Sequence, residues 1–257
     1  MAGEAKTTAL MLGTATVMLG DPADLFDFAP SSHSIGLVKN FNLTVDQSYT
    51  ELTQGVQNQV VFSVKTGNKV MATMEAYEYT GKNLTYALGM EGFSAAAEVT
   101  ASTTVASGAT TTSIPVLSAT GIINGDYVKI QTGTNDQIFV RKVTNVASNT
   151  LTVAALPSVP AQGATVAKMN VIPLSPTSSC NDTFVAAKIV GTLADCSEVV
   201  ILLPKVKVTK GFNLAFNSND FQNMPLELTV YDLLESDEHY TAFSEFGNTS
   251  SMLLTPK

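Results

Sequence analysis

Between Gln57 and Thr80 the chain holds a single phase of alternation. Val60, Phe62, Val64, Val70, Ala72, Met74 and Ala76 are apolar, and Gln57, Gln59, Ser63, Lys65, Lys69, Thr73 and Glu75 between them are polar. Period two puts the two sets on opposite faces of a sheet, one buried and one wet. Thr66-Gly67-Asn68 reads as a turn, so the stretch predicts two long strands joined there. A strand pattern also runs from Leu37 through Phe41, Leu43 and Val45. DQSYTELTQG, Asp46 to Gly55, then predicts a long connection, of a kind uncommon between strands unless functional.

Upstream, residues 1–35 are punctuated by Gly, Asp and Pro, and GDPADLFDFAPSSHS predicts an irregular arm lying along another surface. Downstream, Thr80 is placed to cap a short helix, Leu84, Ala87 and Leu88 recur at helical spacing, and Gly89 ends the run. From Val99 to about Val171 the texture changes to short Thr/Ser/Ala-rich strands with Gly121, Asn124-Gly125-Asp126, Gly133, Asn149, Pro157 and Gly163 between them. Residues 100–170 therefore predict a small β module inserted into a body made of residues 1–99 and 171–257.

The first texture then resumes. Val206 and Val208, then Phe212, Leu214 and Phe216, then Leu226, Leu228 and Val230 supply apolar faces. Lys207, Thr209, Asn213, Asn217, Glu227 and Thr229 intervene. DLLESDEHYTAFSEF predicts a short acidic helix. The fold class that follows is all-β with one short helix, a sandwich or barrel carrying an inserted β module.

Only 14% of the 257 residues are charged, against about 25% in ordinary domains, so Thr, Ser, Asn and Gln make up much of the surface. The net charge is −8. Residues 1–100 and 171–257 each hold ten acids and five bases, whereas residues 101–170 hold Asp126 and Asp136 against Lys129, Arg141, Lys142 and Lys168. No basic stripe exists to neutralise a phosphate backbone, which argues against tight nucleic-acid binding. Met1–Gly20 carries Glu4 and no basic leader, so it does not read as a signal peptide, and no apolar run reaches the length of a membrane span.

Chemistry-bearing residues are sparse. His33 and His239 are the only histidines, and Cys180 and Cys196 the only cysteines, sixteen positions apart without a CxxC. Ordinary reduced thiols are the expectation, and whether they ever pair stays open. No nucleophile-elbow, zincin, Walker or dinucleotide motif occurs. Asp21, Asp24 and Asp27 match no calcium loop and read as a wet acidic arm. Neither an enzyme nor a metal or cofactor site is expected. Tryptophan is absent, which removes the best platform for stacking sugars or bases, although Tyr49, Tyr77 and Tyr79 remain.

The order of these features resembles the tail tube proteins, or major tail proteins, of tailed bacteriophages. The matching stretches are SIGLVKNFNLTVD, ELTQG, QNQVVFSVKTGNKVMATMEAYEYT, TGKNLTYALG, KVKVTKGFNLAF and MPLELTVYD, within Met1–Glu98 and Val171–Lys257. The resemblance implies hexameric rings stacked into a tube that conducts DNA, each copy lending strands to an inner β-barrel with the helix outside it. It further implies assembly in the host bacterial cytoplasm and residence in the virion. The partners would be further copies, tail terminator, baseplate or tail-tip proteins, and a sheath if the tail contracts.

On this resemblance the bore would be lined by Gln57, Gln59, Ser63, Thr73, Glu75, Thr209, Asn213, Asn217, Glu227 and Thr229. Asp46, Tyr49 and Glu51 in the connection, with Asp21, Asp24 and Asp27 in the arm, would touch neighbouring subunits or rings. Polar, non-basic, aromatic-poor walls suit passing DNA. Lys65, Lys69 and Lys207 depart from the acidic lumen the family implies and are expected to pair with Glu75 or Glu227. The inserted module is expected on the tube exterior. The competing expectation is a β-rich adhesin that binds surface glycans through that module.

Overall fold

A computed structural model describes residues 15–54, 56, 58–89, 101–132, 137–172, 184–192, 198–210, 213, 221–246 and 252–254. In chain order the elements are β1 (Ala15–Gly20), a 3-10 helix (Pro22–Asp27), α1 (Pro30–His33), β2 (Val38–Gln54), β3 (Gln59–Ala76), α2 (Gly81–Ala87), β4 (Ser102–Thr104), β5 (Ser113–Pro115) and β6 (Tyr127–Thr132). They continue with β7 (Gln137–Ala147), β8 (Thr150–Val153), β9 (Thr165–Met169), β10 (Val185–Thr192), β11 (Glu198–Lys210), β12 (Met224–Val230), α3 (Tyr240–Ser244) and β13 (Met252–Leu254). The fold is all-β, with two antiparallel sheets and few short helices. The chain divides into two compact units, Met1–Phe93 with Leu174–Lys257, and Ser94–Pro173.

In the larger unit the strand order is β1-β10-β11-β12-β3-β2, with β13 also on β11. The predicted turn at Thr66-Gly67-Asn68 is not a turn: β3 runs through it unbroken, and Gly67 lies opposite Ser48. The hairpin is instead β2 with β3, connected between Gln54 and Gln59, where Asn58 takes a φ of 48°. Asn tolerates this left-handed geometry. Asp46–Gln54 is likewise strand rather than connection, with Thr50 opposite Val64 and Leu52 opposite Phe62. A long polar segment becomes a strand here because a neighbouring strand satisfies its backbone groups.

One face of the larger sheet packs on a core that joins Val17 and Leu19 of β1 to Ala72 and Met74 of β3, with Ile189, Leu203, Leu226 and Leu228 between them. Helix α2 packs Tyr86 and Ala87 into this core. Its ends follow the sequence signals: the Thr80 side chain accepts from the Asn83 amide at 3.1 Å, and Gly89 takes a φ of +65°. Tyr86 donates its hydroxyl proton to the Leu19 carbonyl at 3.3 Å. Asn83 donates to the Ile35 and Glu78 carbonyls, each at 2.9 Å. The helix is thus tied to β1 and to both approaches to the hairpin.

The predicted arm lies along its own unit's sheet. Leu25 and Phe28 pack with Met18, Ala186, Leu202, Leu233 and Phe243 on the other face of β1, β10 and β11. Asp21 caps the 3-10 helix through the Ala23 amide at 3.0 Å, and Lys188 donates to the Phe26 and Phe28 carbonyls at 3.4 and 3.3 Å. β1 and β10 are thereby covered on both faces, so their sequences show continuous apolar runs in place of alternation.

The smaller unit orders its strands β4-β9-β6-β7-β8-β5. A bridge between Val105 and Val116, with the Ala106 amide on the Pro115 carbonyl at 2.7 Å and the Leu117 amide on the Thr104 carbonyl at 3.0 Å, brings the two ends of that order together. The result is a closed six-strand barrel about Ile114, Val128, Ile130, Val143, Leu151 and Val166. Closure leaves no long bare edge.

An ion pair anchors the layer over β1, β10 and β11: Lys205 Nζ lies 2.5 Å from Asp237 Oδ2, which also accepts the Leu234 amide at 2.7 Å. Burial pushes the Asp237 carboxyl up, but the Leu234 amide and Lys205 outweigh it and leave it below its ordinary range. A depressed carboxyl contributes stability that is present above its unfolded pKa and lost as pH falls through the folded one. Asp237→Asn should therefore cost about 1 kcal/mol or less near neutral pH, and the deficit against the parent should shrink in acid. Denaturant melts across pH check this; a deficit that grew in acid would contradict it.

Candidate functional surface

Residues directly opposite in an antiparallel ladder share a face, so the register shows which side chains stand together. On one face of the larger sheet lie Glu75 opposite Lys39, Thr73 opposite Asn42, Met71 opposite Thr44 and Lys69 opposite Asp46. The same face continues across β12 as Pro225, Glu227 and Thr229, opposite Glu75, Thr73 and Met71. It reaches β11 as Lys207 opposite Thr229 and Lys210 opposite Glu227. Thr209, at the bulge, sets its hydroxyl 3.1 Å from that of Thr229 and 3.2 Å from Glu227 Oε1. The opposite face of these strands is the core beneath α2. The sequence therefore builds one strip, four strands wide, that is sealed behind and polar in front.

The charges on this strip are matched in register. Glu75 faces Lys39, Asp46 faces Lys69 and Glu227 faces Lys210. This differs from the expected pairing of Lys65, Lys69 and Lys207 with Glu75 or Glu227: Lys69 faces Asp46, Lys207 faces Thr229, and Lys65 faces Tyr49. Glu75 is the most elaborated group. Asn223 and Asn40 hydrogen-bond its carboxylate, and with Tyr77 and Lys39 they hold it below the ordinary carboxylate range against the opposing effect of burial. The Tyr77 hydroxyl donates to Oε2 at 3.2 Å, and Lys39 Nζ lies 4.8 Å from the Tyr77 ring centre. Asn40 is delivered by a bulge in β2, where it takes a φ of 54°.

Two further register shifts re-phase β3 toward the hairpin tip. Between Ser48 and Tyr49, and again between Leu52 and Thr53, β3 advances two residues against one on β2. β2 alternates without interruption over this stretch, so Ser63, opposite Glu51, falls on the other face from Thr73, and Lys65 goes with it. Val64, Leu52 and Phe62 come round to the polar side, and Gln59 shares that side with Gln54. The ribbon has by then left its own core: Leu52 is 64%, Phe62 61% and Val64 47% exposed.

Of the residues expected along a bore, Thr73, Glu75, Thr209, Glu227 and Thr229 come together on the strip, Gln59 lies on its side of the ribbon tip, and Ser63 does not join them. Asn213 is exposed, while Gln57, Asn217, Phe212, Leu214 and Phe216 lie outside the described residues, as do Cys180 and Cys196. Asp46, Tyr49 and Glu51 are exposed along β2, and Asp24 and Asp27 along the 3-10 helix. Asn42, Thr44, Lys39, Asn40 and Asn223 join the strip without having been anticipated. The polar run Asn42, Thr44, Asp46 in SIGLVKNFNLTVD was the available signal, since it is the complement of Leu43 and Val45.

The histidines serve the fold. His33 stacks on Phe28 with ring centres 4.5 Å apart, and His239 Nε2 is 2.9 Å from the Pro22 carbonyl. Among the described residues no group of three or more His, Cys, Asp or Glu could hold a metal, and no helix is long and apolar enough to cross a membrane. A hollow of about 300 Å³ in the smaller unit is lined by Gln131, Ala161, Gln162, Gly163, Ala164 and Thr165, none of them an acid, base or nucleophile suited to catalysis.

No protein-family model matches the chain, and no curated protein is similar enough to count as a relative. The site geometry is therefore what bears on function. Replacing Asn223 with Ala removes the largest contribution to the lowered Glu75 pKa. Carboxyl NMR titration should then show the Glu75 midpoint moving up toward the ordinary range, and an unchanged midpoint would contradict the assignment.

Proposed function

We propose that this chain is a structural subunit of a phage tail tube, assembling with copies of itself into rings that stack around a DNA-conducting bore. The observation that carries the reading is the one-sided sheet. Four strands are sealed on one face by their own core and helix α2, and bare on the other with acids and lysines matched across the ladders. Such a face neither concentrates positive charge for phosphates nor presents a platform for bases. A wall along which DNA slides needs both properties.

Two further features support self-association. β2 is an edge strand of 17 residues, and none of the described residues pairs with its outer side. Long bare edges invite another chain, and joining copies edge to edge removes the liability while closing a cylinder. The ribbon tip carries Leu52 and Phe62 into solvent, where a two-stranded ribbon is marginal without cover. A neighbouring copy supplies that cover, and the tip, displaced by its bulges, seats against the adjoining ring. Ring number six, virion residence, and terminator, baseplate and sheath partners enter with the resemblance of layout and belong to the same proposal.

Negative-stain microscopy and light scattering of the purified protein should reveal rings or tubes. Monomers alone across salt and concentration would overturn the reading, and a clear glycan-array hit without self-assembly would replace it with the adhesin. Burial of one large apolar side chain is worth about 1.5–3 kcal/mol. Leu52→Asp or Phe62→Asp should therefore weaken assembly by roughly 10- to 100-fold, with the circular dichroism and melting of the monomer unchanged.

A further inference from the structure

The smaller unit carries a surface that the bore does not use. Val128 and Ile130 point into the barrel with no exposure, so Tyr127 and Lys129 stand on its outside. The register sets Tyr127 between Lys142 and Met169, Lys129 beside Val140, and Ile138 at the far end opposite Gln131. Ile138 is 52% and Val140 43% exposed, and Lys142 Nζ lies 5.9 Å from the centre of the Tyr127 ring. No acid occupies an outward position on these three strands. Apolar area of this kind on a soluble module marks a contact, and two lysines are too few to hold a nucleic acid. The partner that fits is a protein surface that is apolar at its centre and acidic at its rim.

The larger unit has one. The layer over β1, β10 and β11 leaves Phe26 and Leu234 exposed above the buried Leu25, Leu233 and Phe243. Around them Asp24, Asp27, Glu235 and Glu238 are exposed, whereas the nearby cations Lys188 and Lys205 are engaged with carbonyls and Asp237.

We propose that the outer β9-β6-β7 face of one copy's barrel docks on the Phe26–Leu234 acidic layer of a neighbouring copy's larger unit. Each copy carries both surfaces, so the contact is heterologous and propagates from copy to copy. It ties copy to copy independently of the edge-to-edge sheet. The inference rests on the self-assembly reading.

The test uses the full chain, with unlabelled and nitrogen-15 copies mixed before assembly and treated with a carbodiimide, which joins a lysine amine to a touching carboxylate as an amide. Mixed-isotope peptides linking Lys129 or Lys142 to Asp24, Asp27, Glu235 or Glu238 are expected. They should fall several-fold at 1 M salt, where screening shortens to about 3 Å. Lys129→Glu with Lys142→Glu should abolish them and leave rings in place, and adding Asp27→Lys with Glu238→Lys should restore co-assembly strength in tube-melting assays. Rings lacking these links, or links confined to single copies, overturn the docking alone. Absence of rings overturns the tube reading itself. Should a variant fail to fold, the cross-links of the parent chain decide.

Discussion

Everything in the larger unit depends on burying one face of a four-strand antiparallel surface while leaving the other wet. Ala72, Met74, Leu226 and Leu228 face the core, and Thr73, Glu75, Glu227 and Thr229 face outward. A one-residue slip in either ladder would exchange the two sets. The helix α2 fixes the choice from behind, through Tyr86 and Asn83. In front, acids and lysines stand opposite one another across the ladders.

Bulges then convert this regular surface into something with ends. The first delivers Asn40 to Glu75 and bends β2 at the foot of the hairpin. The two near the tip re-aim β3, so that the strip stops being uniformly polar where the ribbon leaves its core. A straight continuation would have kept Phe62 behind and Ser63 in front. The observed register turns Phe62 and Leu52 toward the polar side at the one place where the ribbon extends past its own subunit. An apolar tip suits a contact between copies far better than it suits a wall for DNA.

Much of this was legible in the chain. The alternation of β3, the faces of β12, the Thr80 cap, the Gly89 stop and the shift to short Thr-rich strands after residue 100 rest on local rules of periodicity and turn chemistry. The misreadings have local causes too. Thr66-Gly67-Asn68 has turn composition, yet Gly67 pairs with Ser48 in mid-strand. Asp46–Gln54 is polar on its wet face apart from Leu52 and only sparsely apolar on the other, so nothing but its partner strand declares it. β1 and β10 lack alternation because both faces are covered, and the surface the arm lies along was not legible because, Met18 apart, the cluster that takes up Leu25 and Phe28 comes from residues more than 150 positions away. The re-phasing of Ser63 depends on bulges, which follow from pairing and leave little trace in one strand's sequence.

The claim that matters most is that the polar strip faces an enclosed bore shared among copies. Thiol protection at Thr73→Cys and Thr229→Cys, in chains with both native cysteines replaced by Ser, tests it directly, with Thr120→Cys on the barrel surface as the exposed reference. In assembled tubes a bulky polymer-linked maleimide should modify the reference position quickly and the strip positions hardly at all, and dissociation should equalise the rates. Strip cysteines that react as fast as the reference while the tubes stay intact would contradict the account.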